Sequence, residues 1–400
     1  MLLENFLNKK FKFGGFILED ANSRKYTIGK VDTNKKTLTL KLLKKDLILK
    51  LTLLPELYLG EEYFKGNIEV KNGSILDFLN LVLHPNNFGR GKVNTFSAIL
   101  NFLRYSFNFL TKHNFIGISK RNAIHHYSRG EDIYDWMLDT EHRQYSCAYF
   151  KDVNESLEQA QTNKLDLVLK KLVLKPSDTV LDIGCGWGGL SRYLHKKMGC
   201  RVHGISLAPN QIEYCKKKAR ELRMDNALSY SLCDYRQVTG KWRRIVNVGF
   251  LEHLSPKFLS VFFSKVNELL TDDGLCLTHT IASVEPPSPT NPFIGKWIFP
   301  GGKVPTASQL TRAIEKSGLI ISGFSSLIDH YNLTLEKWRL RFLDNADKAK
   351  EKYGEDFVRL WDFYLSSTSS AFRSNLLVHQ IETVKNFNTV PHRTRDYIYS

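Results

Sequence analysis

The first 95 residues of the chain alternate short apolar runs with turn-forming residues. The strand-like runs are 11–19, 25–30, 37–44 and 47–53. The last two runs flank residues 44–46, which predicts a β-hairpin at that point. Residues 75–83 carry apolar side chains at helical spacing, so we expect an amphipathic helix there. This pattern predicts a small α+β domain over residues 1–95, followed by a linker over 96–120.

From residue 121 onward, strand-like apolar segments alternate with segments of helical periodicity. The strand-like segments are 179–183, 201–205, 228–232, 244–249, 274–281, 320–327 and 378–384. This alternation predicts an α/β domain over 121–400, with a seven-stranded, mostly parallel sheet and helices on both faces. An insertion at 284–303 contains five prolines and three glycines. It follows the fifth strand at the sheet edge where ligands bind, so it is a candidate lid.

Composition adds a strong positive charge to this picture. The 400 residues include 57 Lys and Arg against 41 Asp and Glu, a formal net charge of +16. Such a field favours nucleic acid or a membrane rich in anionic phospholipid, although a solvated lysine-rich surface explains it equally well. No apolar run approaches the roughly 20 residues that span a bilayer. The six cysteines show no C-x-x-C pair and no zinc spacing, which favours a reducing cytoplasm and no metal site.

A glycine-rich turn at 184–189 follows the first strand of the α/β domain and leads into a helix. Its glycines let the backbone approach a ligand closely, and Asp182 lies in the strand where it can anchor the turn. The glycine spacing also fits the dinucleotide fingerprint G-x-G-x-x-G. A dinucleotide site, however, places an acidic residue at the end of the second strand, and Val202–Ser206 ends without one. The pattern therefore disfavours a dehydrogenase, and a turn that binds no ligand remains an alternative.

Several motifs resemble those of known enzymes. Asp182-Ile-Gly-Cys-Gly-Trp-Gly188 resembles the first motif of class I S-adenosylmethionine methyltransferases, whose sheet is Rossmann-like. Several more specific stretches resemble the cyclopropane-fatty-acyl-phospholipid synthase family. These stretches are Leu59–Gly66, Tyr145–Phe150, Leu157–Gln161, Lys164–Asp166, Gly249–His253, Ile298–Gly302 and His330–Leu335. The resemblance covers most of the chain, and the combination of these stretches is far more specific than the glycine-rich turn.

The resemblance implies a reaction and a set of site residues. A methylene group passes from S-adenosyl-L-methionine to the cis double bond of an unsaturated acyl chain in a membrane phospholipid, and a cyclopropane ring forms. In this family the reaction runs through a carbocation that a bound bicarbonate ion deprotonates. By resemblance, the bicarbonate site comprises Cys147, Glu252, His279, Tyr331 and the backbone near Ile281. The implied cofactor site comprises Tyr145, Ser146, Gly184, Gly186, Leu207, Gln211 and Tyr235.

The sequence is also compatible with three alternative functions. A member of the same family could instead add a methyl or methylene branch, because the cation can lose a different proton. The charge also suggests a nucleic-acid methyltransferase, but Gly249–Glu252 stands where such an enzyme carries an N-P-P-Y-type loop. A third alternative is a non-catalytic lipid-binding protein, which the intact glycines and site residues disfavour.

The favoured interpretation is a cytoplasmic enzyme without a nucleic-acid partner. We expect it to bind the inner face of an anionic membrane peripherally, through its basic surface and apolar residues of the insertion such as Phe293, Trp297 and Ile298. The family resemblance implies that residues 1–95 contribute lipid binding or homodimerisation.

Overall fold

The structure, a computed structural model, describes residues 2–32, 36–87, 130–389 and 394–398. The chain forms two compact units, each assembled from separate stretches. Unit 1 comprises Met1–Phe107, Ser288–Pro300 and Leu335–Leu376, and unit 2 comprises Asn108–Pro287, Gly301–Thr334 and Leu377–Ser400. This grouping differs from the predicted division into 1–95 and 121–400, because two later stretches belong with the N-terminal residues. Most of the predicted linker at 96–120, and its flanks, lies outside the described residues.

Unit 1 has, among its described residues, a sheet of four strands. These are β1 Gly15–Glu19, β2 Lys25–Gly29, β3 Thr39–Leu42 and β4 Ile68–Lys71, in the order β2-β1-β3-β4. β1 runs antiparallel to β2 and parallel to β3, and β3 runs antiparallel to β4. The N-terminal helices are α1 Leu2–Lys10, α2 Leu47–Leu53, α3 Pro55–Phe64 and α4 Ile75–Val82. Phe16 of β1 and Phe78 of α4 pack edge to face with ring centroids 5.1 Å apart, so α4 covers the sheet.

The hairpin predicted around residues 44–46 is wrong, because residues 47–53 form helix α2. The sequence L-I-L-K-L-T-L alternates apolar residues, but it also places Leu47 and Leu51 four residues apart. Both side chains are buried on one face of the helix, so tertiary packing decides between the two periodicities. Leu49 and Leu53 lie on the other face and are 63% and 53% exposed. The helix predicted at 75–83 is confirmed as α4.

Unit 2 has, among its described residues, a sheet of seven strands. They are β5 Thr179–Ile183, β6 Arg201–Ser206, β7 Leu228–Leu232, β8 Trp242–Val248, β9 Leu270–Ser283, β10 Ile320–Leu327 and β11 Leu376–Val384. Their order is β10-β11-β9-β8-β5-β6-β7. The pairs from β9 through β8, β5 and β6 to β7 are parallel, and β10 is antiparallel to β11. The predicted α/β fold with a seven-stranded, mostly parallel sheet is confirmed.

Helices cover both faces of this sheet. They are α6 Leu157–Leu172, α7 Gly189–Met198, α8 Pro209–Glu221, α9 Leu259–Leu269 and α10 Ala307–Lys316; the preceding helix, α5 Glu131–Met137, places Tyr134 against Trp187 of the glycine-rich turn. Adjacent residues of β5 point to opposite faces, so Leu181 packs in a core with α9 and α10, and Val180 packs in a core with α6, α7 and α8. The carboxyl ends of the parallel strands meet at one edge, where the candidate site residues lie.

The insertion residues 288–300 pack inside unit 1. Ile294–Ile298 form one turn of π-helix, and Phe293 and Ile298 are buried. Lys296 Nζ and Trp297 Nε1 donate hydrogen bonds to Glu61 Oε1 at 2.6 and 2.9 Å. The expected membrane contact through Phe293 and Ile298 is therefore wrong, because these side chains are part of the core of unit 1.

The remaining helices are α11 His330–Asp344, α12 Ala346–Tyr353 and α13 Glu355–Phe372. α13 packs against α3 and α4 within unit 1. Ser370 Oγ of α13 donates a hydrogen bond to Asn80 Oδ1 of α4 at 2.8 Å, and the Phe363 ring lies 4.8 Å from the Phe293 ring. The core of unit 1 therefore combines side chains from its N-terminal, insertion and C-terminal stretches.

Candidate active site

The glycine-rich turn leaves one side of its backbone open. Gly184, Gly186 and Gly188 all have positive φ, at 80°, 53° and 73°. An ideal Cβ on Gly186 would have no heavy atom of the described residues within 4 Å. On Gly189, the first residue of α7, it would lie 2.0 Å from the carbonyl oxygen of His142. Gly189 is therefore required by packing, whereas Gly186 borders open space that a ligand can fill.

Asp182 fixes this turn from inside the sheet. Its carboxylate is buried and accepts a hydrogen bond from Ser191 Oγ of α7 at 2.7 Å. Burial raises the pKa of Asp182 to about 6, against the lowering effects of the Ser191 hydroxyl and of Lys164. The strand and the helix that flank the turn are thus tied together by one buried hydrogen bond.

The other predicted cofactor residues lie at the ends of the neighbouring strands. Ser206 Oγ donates to Gln211 Oε1 at 2.9 Å, so the end of β6 holds the start of α8. Tyr235 is buried, and its ring lies 5.7 Å from the Phe250 ring in an edge-to-face contact. An ideal Cβ on Gly184 would lie 2.9 Å from Phe250 Cδ2, so Phe250 links Tyr235 to the glycine-rich turn. Leu207 is half-buried between Ser206 and α8.

The segment 145–148 is held by three residues of unit 2, which are Gln161, Lys164 and Thr334. Gln161 Nε2 of α6 donates to the carbonyl oxygen of Ser146 at 2.9 Å, and Lys164 Nζ donates to Ser146 Oγ at 3.1 Å. The N–H of Ala148 donates to Thr334 Oγ1 of α11 at 3.1 Å. Cys147 is 1% exposed, and burial raises the pKa of its thiol well above the ordinary range. Cys147 is therefore a neutral thiol at physiological pH rather than a thiolate nucleophile.

Glu252 is directed into the site by the end of β9. Its Oε1 accepts a hydrogen bond from the N–H of Ile281 at 2.6 Å. Burial raises the pKa of Glu252, while the N–H of Ile281 and the hydroxyl of Thr280 counteract that effect. Glu252 Oε2 is buried and has no partner in hydrogen-bond geometry among the described residues. One oxygen is thus anchored, and the other is available to accept a hydrogen bond from a ligand.

His279 provides a hydrogen-bond donor, whereas Glu252 provides an acceptor. Its Nδ1 lies 3.1 Å from Gln380 Nε2 of β11, and an amide NH₂ can only donate, so Nδ1 accepts and Nε2 carries the proton. Burial lowers the pKa of His279 well below its usual value, so the ring is neutral. Its Nε2 is buried and has no hydrogen-bond partner among the described residues.

The structure brings most of the predicted residues to one edge of the sheet. The N–H of Gly249 donates to the carbonyl oxygen of His279 at 2.9 Å, and Glu252 follows three residues later. An ideal Cβ on Gly249 would lie 4.0 Å from Ser146 Cβ, which links this pair to the 145–148 segment. Tyr331 lies in the first turn of α11, between His330, whose Nδ1 accepts from the N–H of Phe150, and Thr334.

Sequence reasoning assigned no role to three polar residues of this site. Gln161 and Lys164 belong to a quoted motif, and both are completely buried on α6. Their spacing of three residues, among the buried leucines of this helix, is the signal that identifies them. Gln380 orients His279 from a strand 101 residues away along the chain, and no local pattern predicts that contact.

Comparison with known proteins agrees with this geometry. The Mycolic acid cyclopropane synthetase family matches residues 118–381. The chain belongs to this family. It is 37% identical over 249 residues to the cyclopropane-fatty-acyl-phospholipid synthase of Escherichia coli K12, covering 62% of this chain and 63% of that protein. It is 37% identical over 277 residues to sphingolipid C9-methyltransferase A of Emericella nidulans, covering 66% of this chain and 53% of that protein.

A solved structure supports the same relationship. The mycolic acid cyclopropane synthase CmaA1, complexed with SAH and CTAB, matches with a TM-score of 0.63 and 30% identity, over 66% of this chain and 97% of that one. The predicted family is therefore confirmed. The chain matches about six-tenths of the length of the E. coli relative and about half that of the fungal one. No helix among the described residues is long and apolar enough to cross a membrane.

Proposed function

We propose that this protein transfers a one-carbon unit from S-adenosyl-L-methionine to the double bond of an unsaturated acyl chain in a phospholipid, and so forms a cyclopropane ring. The observation that carries the proposal is that two buried atoms, Glu252 Oε2 and His279 Nε2, each lack a hydrogen-bond partner among the described residues of a member of this family. One atom accepts and the other donates, at the edge of the sheet where the glycine-rich turn opens.

The cofactor fits the open side of the glycine-rich turn. Gly186 borders free space, and Gln211 Nε2 has no hydrogen-bond partner among the described residues, so both can contact a nucleoside. The SAH bound to the related synthase supports this choice of cofactor. When bound, S-adenosyl-L-methionine supplies the electrophilic methyl group. The chain contributes the backbone of 184–186, Tyr145, Ser146, Leu207 and Tyr235, which orient the cofactor and exclude water.

Bicarbonate has the hydrogen-bonding groups that Glu252 Oε2 and His279 Nε2 lack. The ion has one O–H donor and oxygen acceptors, so it complements Glu252 Oε2 as acceptor and His279 Nε2–H as donor. When bound, it supplies a base that can take the proton released on ring closure. Cys147, Tyr331 and the backbone near Ile281 complete the proposed site. Aromatic faces such as Phe250 and Tyr235 favour a developing cation nearby.

A second outcome of the same chemistry is branch formation without a ring. The chain is 37% identical both to sphingolipid C9-methyltransferase A and to the E. coli synthase. Sequence identity therefore supports branch formation as strongly as it supports ring formation. Both products contain one added carbon, and they differ in which proton leaves. Mass spectrometry of lipids from cells that express the chain separates them, since fragmentation and NMR distinguish a ring from a methyl branch. A lipid pool without the added carbon would contradict both.

We further propose that the protein binds an anionic membrane surface peripherally through helix α2. The net charge of +16 favours such a surface, and α2 exposes Leu49 and Leu53 close to the exposed Lys44 and Lys45. Apolar side chains beside lysines match the boundary between acyl chains and anionic head groups. This location replaces the insertion, whose Phe293 and Ile298 are buried.

The role of Glu252 is tested by changing it to glutamine. Glu252→Gln keeps an oxygen for the N–H of Ile281 but puts an amide where Oε2 accepts, so turnover should fall by about 10² or more while SAH affinity stays close to that of the wild type. Bicarbonate depletion should slow the wild type and have little further effect on the variant, because both changes remove the same element. Tyr331→Phe should cost less than Glu252→Gln.

The matched control is Glu268→Gln, since Glu268 is an exposed carboxylate of α9 whose side chain is 62% exposed. Its turnover and its response to bicarbonate should equal those of the wild type. If Glu252→Gln responds to added bicarbonate as strongly as the wild type does, then Glu252 does not bind the ion.

A further inference from the structure

Lys164 is a buried cation beside the candidate active site. Its side chain is 0% exposed, and its ammonium donates hydrogen bonds to Gln144 Oε1 and Ser146 Oγ. Both acceptors are neutral, and an ammonium has three N–H donors, so one donor has no acceptor and the charge has no anion in direct contact. Among the described residues, no carboxylate lies within 4.0 Å of Lys164 Nζ. A buried charge of this kind is costly unless a counter-ion compensates it.

The same helix shows how this chain neutralises a buried lysine elsewhere. Lys171, two turns after Lys164 on α6, is also buried, and its Nζ lies 3.1 Å from Glu382 Oε1. The two carboxylates that interact electrostatically with Lys164, Asp139 and Asp182, already accept hydrogen bonds from other groups. Asp139 accepts from the N–H groups of residues 142–144, and Asp182 accepts from Ser191. Asp139 and Asp182 therefore act on Lys164 only through space, and no carboxylate among the described residues contacts its ammonium as Glu382 contacts that of Lys171.

The charge of Lys164 reaches the site proposed for the ion. Burial raises the pKa of Cys147, and Lys164 lowers it. Burial lowers the pKa of His279, and Lys164 lowers it further. Cys147 directly follows Ser146, which Lys164 contacts, so Lys164 acts on the 145–148 segment both by its hydrogen bond and by its field.

We propose that Lys164 is a positioning residue that holds Ser146 and provides the positive charge for an oxyanion bound beside Cys147 and His279. This inference rests on the proposed function, because it takes bicarbonate as that oxyanion. A role in holding the segment alone does not account for the charge, since Gln161 already binds the carbonyl of Ser146 with a neutral amide. Packing alone does not require the charge either, because methionine at position 164 would fill the same space without burying one.

The size of the effect follows from Coulomb's law. At an effective dielectric constant of about 20, a unit charge about 12 Å away changes the affinity for an anion about tenfold, and a closer charge changes it more. We therefore expect Lys164→Met to bind bicarbonate at least about tenfold more weakly than the wild type. Lys164→Arg keeps the charge and should bind within about threefold of the wild type.

The experiment titrates ¹³C-labelled bicarbonate into the SAH complex of the full chain and follows the NMR line width, which reports binding without turnover. SAH affinity is measured on the same samples by calorimetry. Lys196→Gln is the control for net charge, because the Lys196 side chain is 67% exposed and lies 3.9 Å from Glu141. Its bicarbonate and SAH affinities should match those of the wild type.

A second measurement needs no methionine variant and covers the case in which Lys164→Met does not fold. Burial lowers the pKa of Lys164 to about 8, so its protonated fraction falls about tenfold between pH 7 and pH 9. Bicarbonate affinity of the wild type should fall with it, and Lys164→Arg should not show this fall, since arginine stays charged. The titratable and charged groups facing Lys164 are Asp139, His142, Cys147, Asp182 and His279. The comparison with Lys164→Arg isolates Lys164 from them.

The possible results have distinct meanings. Selective loss of bicarbonate affinity in Lys164→Met, with SAH affinity kept, supports the proposal. Unchanged bicarbonate affinity in Lys164→Met overturns it while the proposed function stands. Parallel loss of SAH and bicarbonate affinity without recovery in Lys164→Arg means that the residue only holds the segment, which also overturns the role of the charge. A wild-type SAH complex that binds no bicarbonate overturns the proposed base and this inference together, and lipid analysis still tests methyl transfer independently.

Discussion

Replacing Gly186 with alanine separates backbone strain from cofactor binding. Gly186 has a φ of 53°, and a non-glycine residue in this left-handed region costs about 1–2 kcal/mol. Gly199, at the end of α7, has a φ of 71°, and an ideal Cβ there also has no heavy atom within 4 Å among the described residues. Gly199→Ala is therefore a matched control. Both variants should lose about 1–2 kcal/mol in the free energy of unfolding, measured by urea denaturation.

The two variants should differ in ligand binding. If S-adenosyl-L-methionine fills the space beside Gly186, the added methyl group overpacks that site by about 1–3 kcal/mol. SAH should then bind Gly186→Ala about 5- to 150-fold more weakly than the wild type, while Gly199→Ala binds it normally. Titration calorimetry measures this directly. Equal SAH affinities in the two variants would refute our placement of the cofactor, even though the family assignment would stand.

Three further outcomes are expected. Burial raises the pKa of Asp182 to about 6 from 3.8, so the folded chain binds an extra proton between these pH values and stability is lost as pH rises through this window. In Asp182→Asn the free energy of unfolding, measured by denaturation, should change by about 2–3 kcal/mol less over this pH window than in the wild type. An unchanged pH dependence would contradict the raised pKa of Asp182. Replacing Leu49 and Leu53 with glutamate should weaken sedimentation with anionic vesicles, whereas Val153→Glu, at a site 66% exposed in unit 2, should not. Wild-type binding should fall from 0.1 M to 1 M salt, since the Debye length shortens from about 10 to about 3 Å; equal binding to neutral vesicles at both salts would exclude an electrostatic role.

Local periodicity in the sequence was sufficient to locate most of unit 2. The predicted strands 179–183, 228–232 and 320–327 coincide with β5, β7 and β10, because each is a short apolar run bounded by turn-forming residues. Residues 47–53 satisfy both strand and helix periodicity, and only the burial of Leu47 and Leu51 in unit 1 selects the helix. The sequence pattern could not decide this, because the deciding contacts are tertiary.

The candidate site was likewise predictable only where local motifs identify its residues. Family motifs identified Glu252, His279 and the 145–148 segment, and the structure brings them to one edge of the sheet. The orientation of His279 depends on Gln380, and the assembly of unit 1 depends on contacts between residue 61 and residues 296–297. Such pairs are separated by 101 and 235 residues, so no local pattern reports them.

The assembly of unit 1 from three stretches has a consequence during synthesis. Its described N-terminal part ends at residue 87, but α13, which packs on α3 and α4, is complete only at Phe372. At about 5–20 residues per second, the ribosome needs roughly 15–60 s to deliver that helix. During this interval the faces of α3 and α4 that pack on α13 lack that partner, and transiently exposed apolar surface of this kind makes a nascent chain prone to aggregate. Fragments cut at residue 95 would stay in that state permanently.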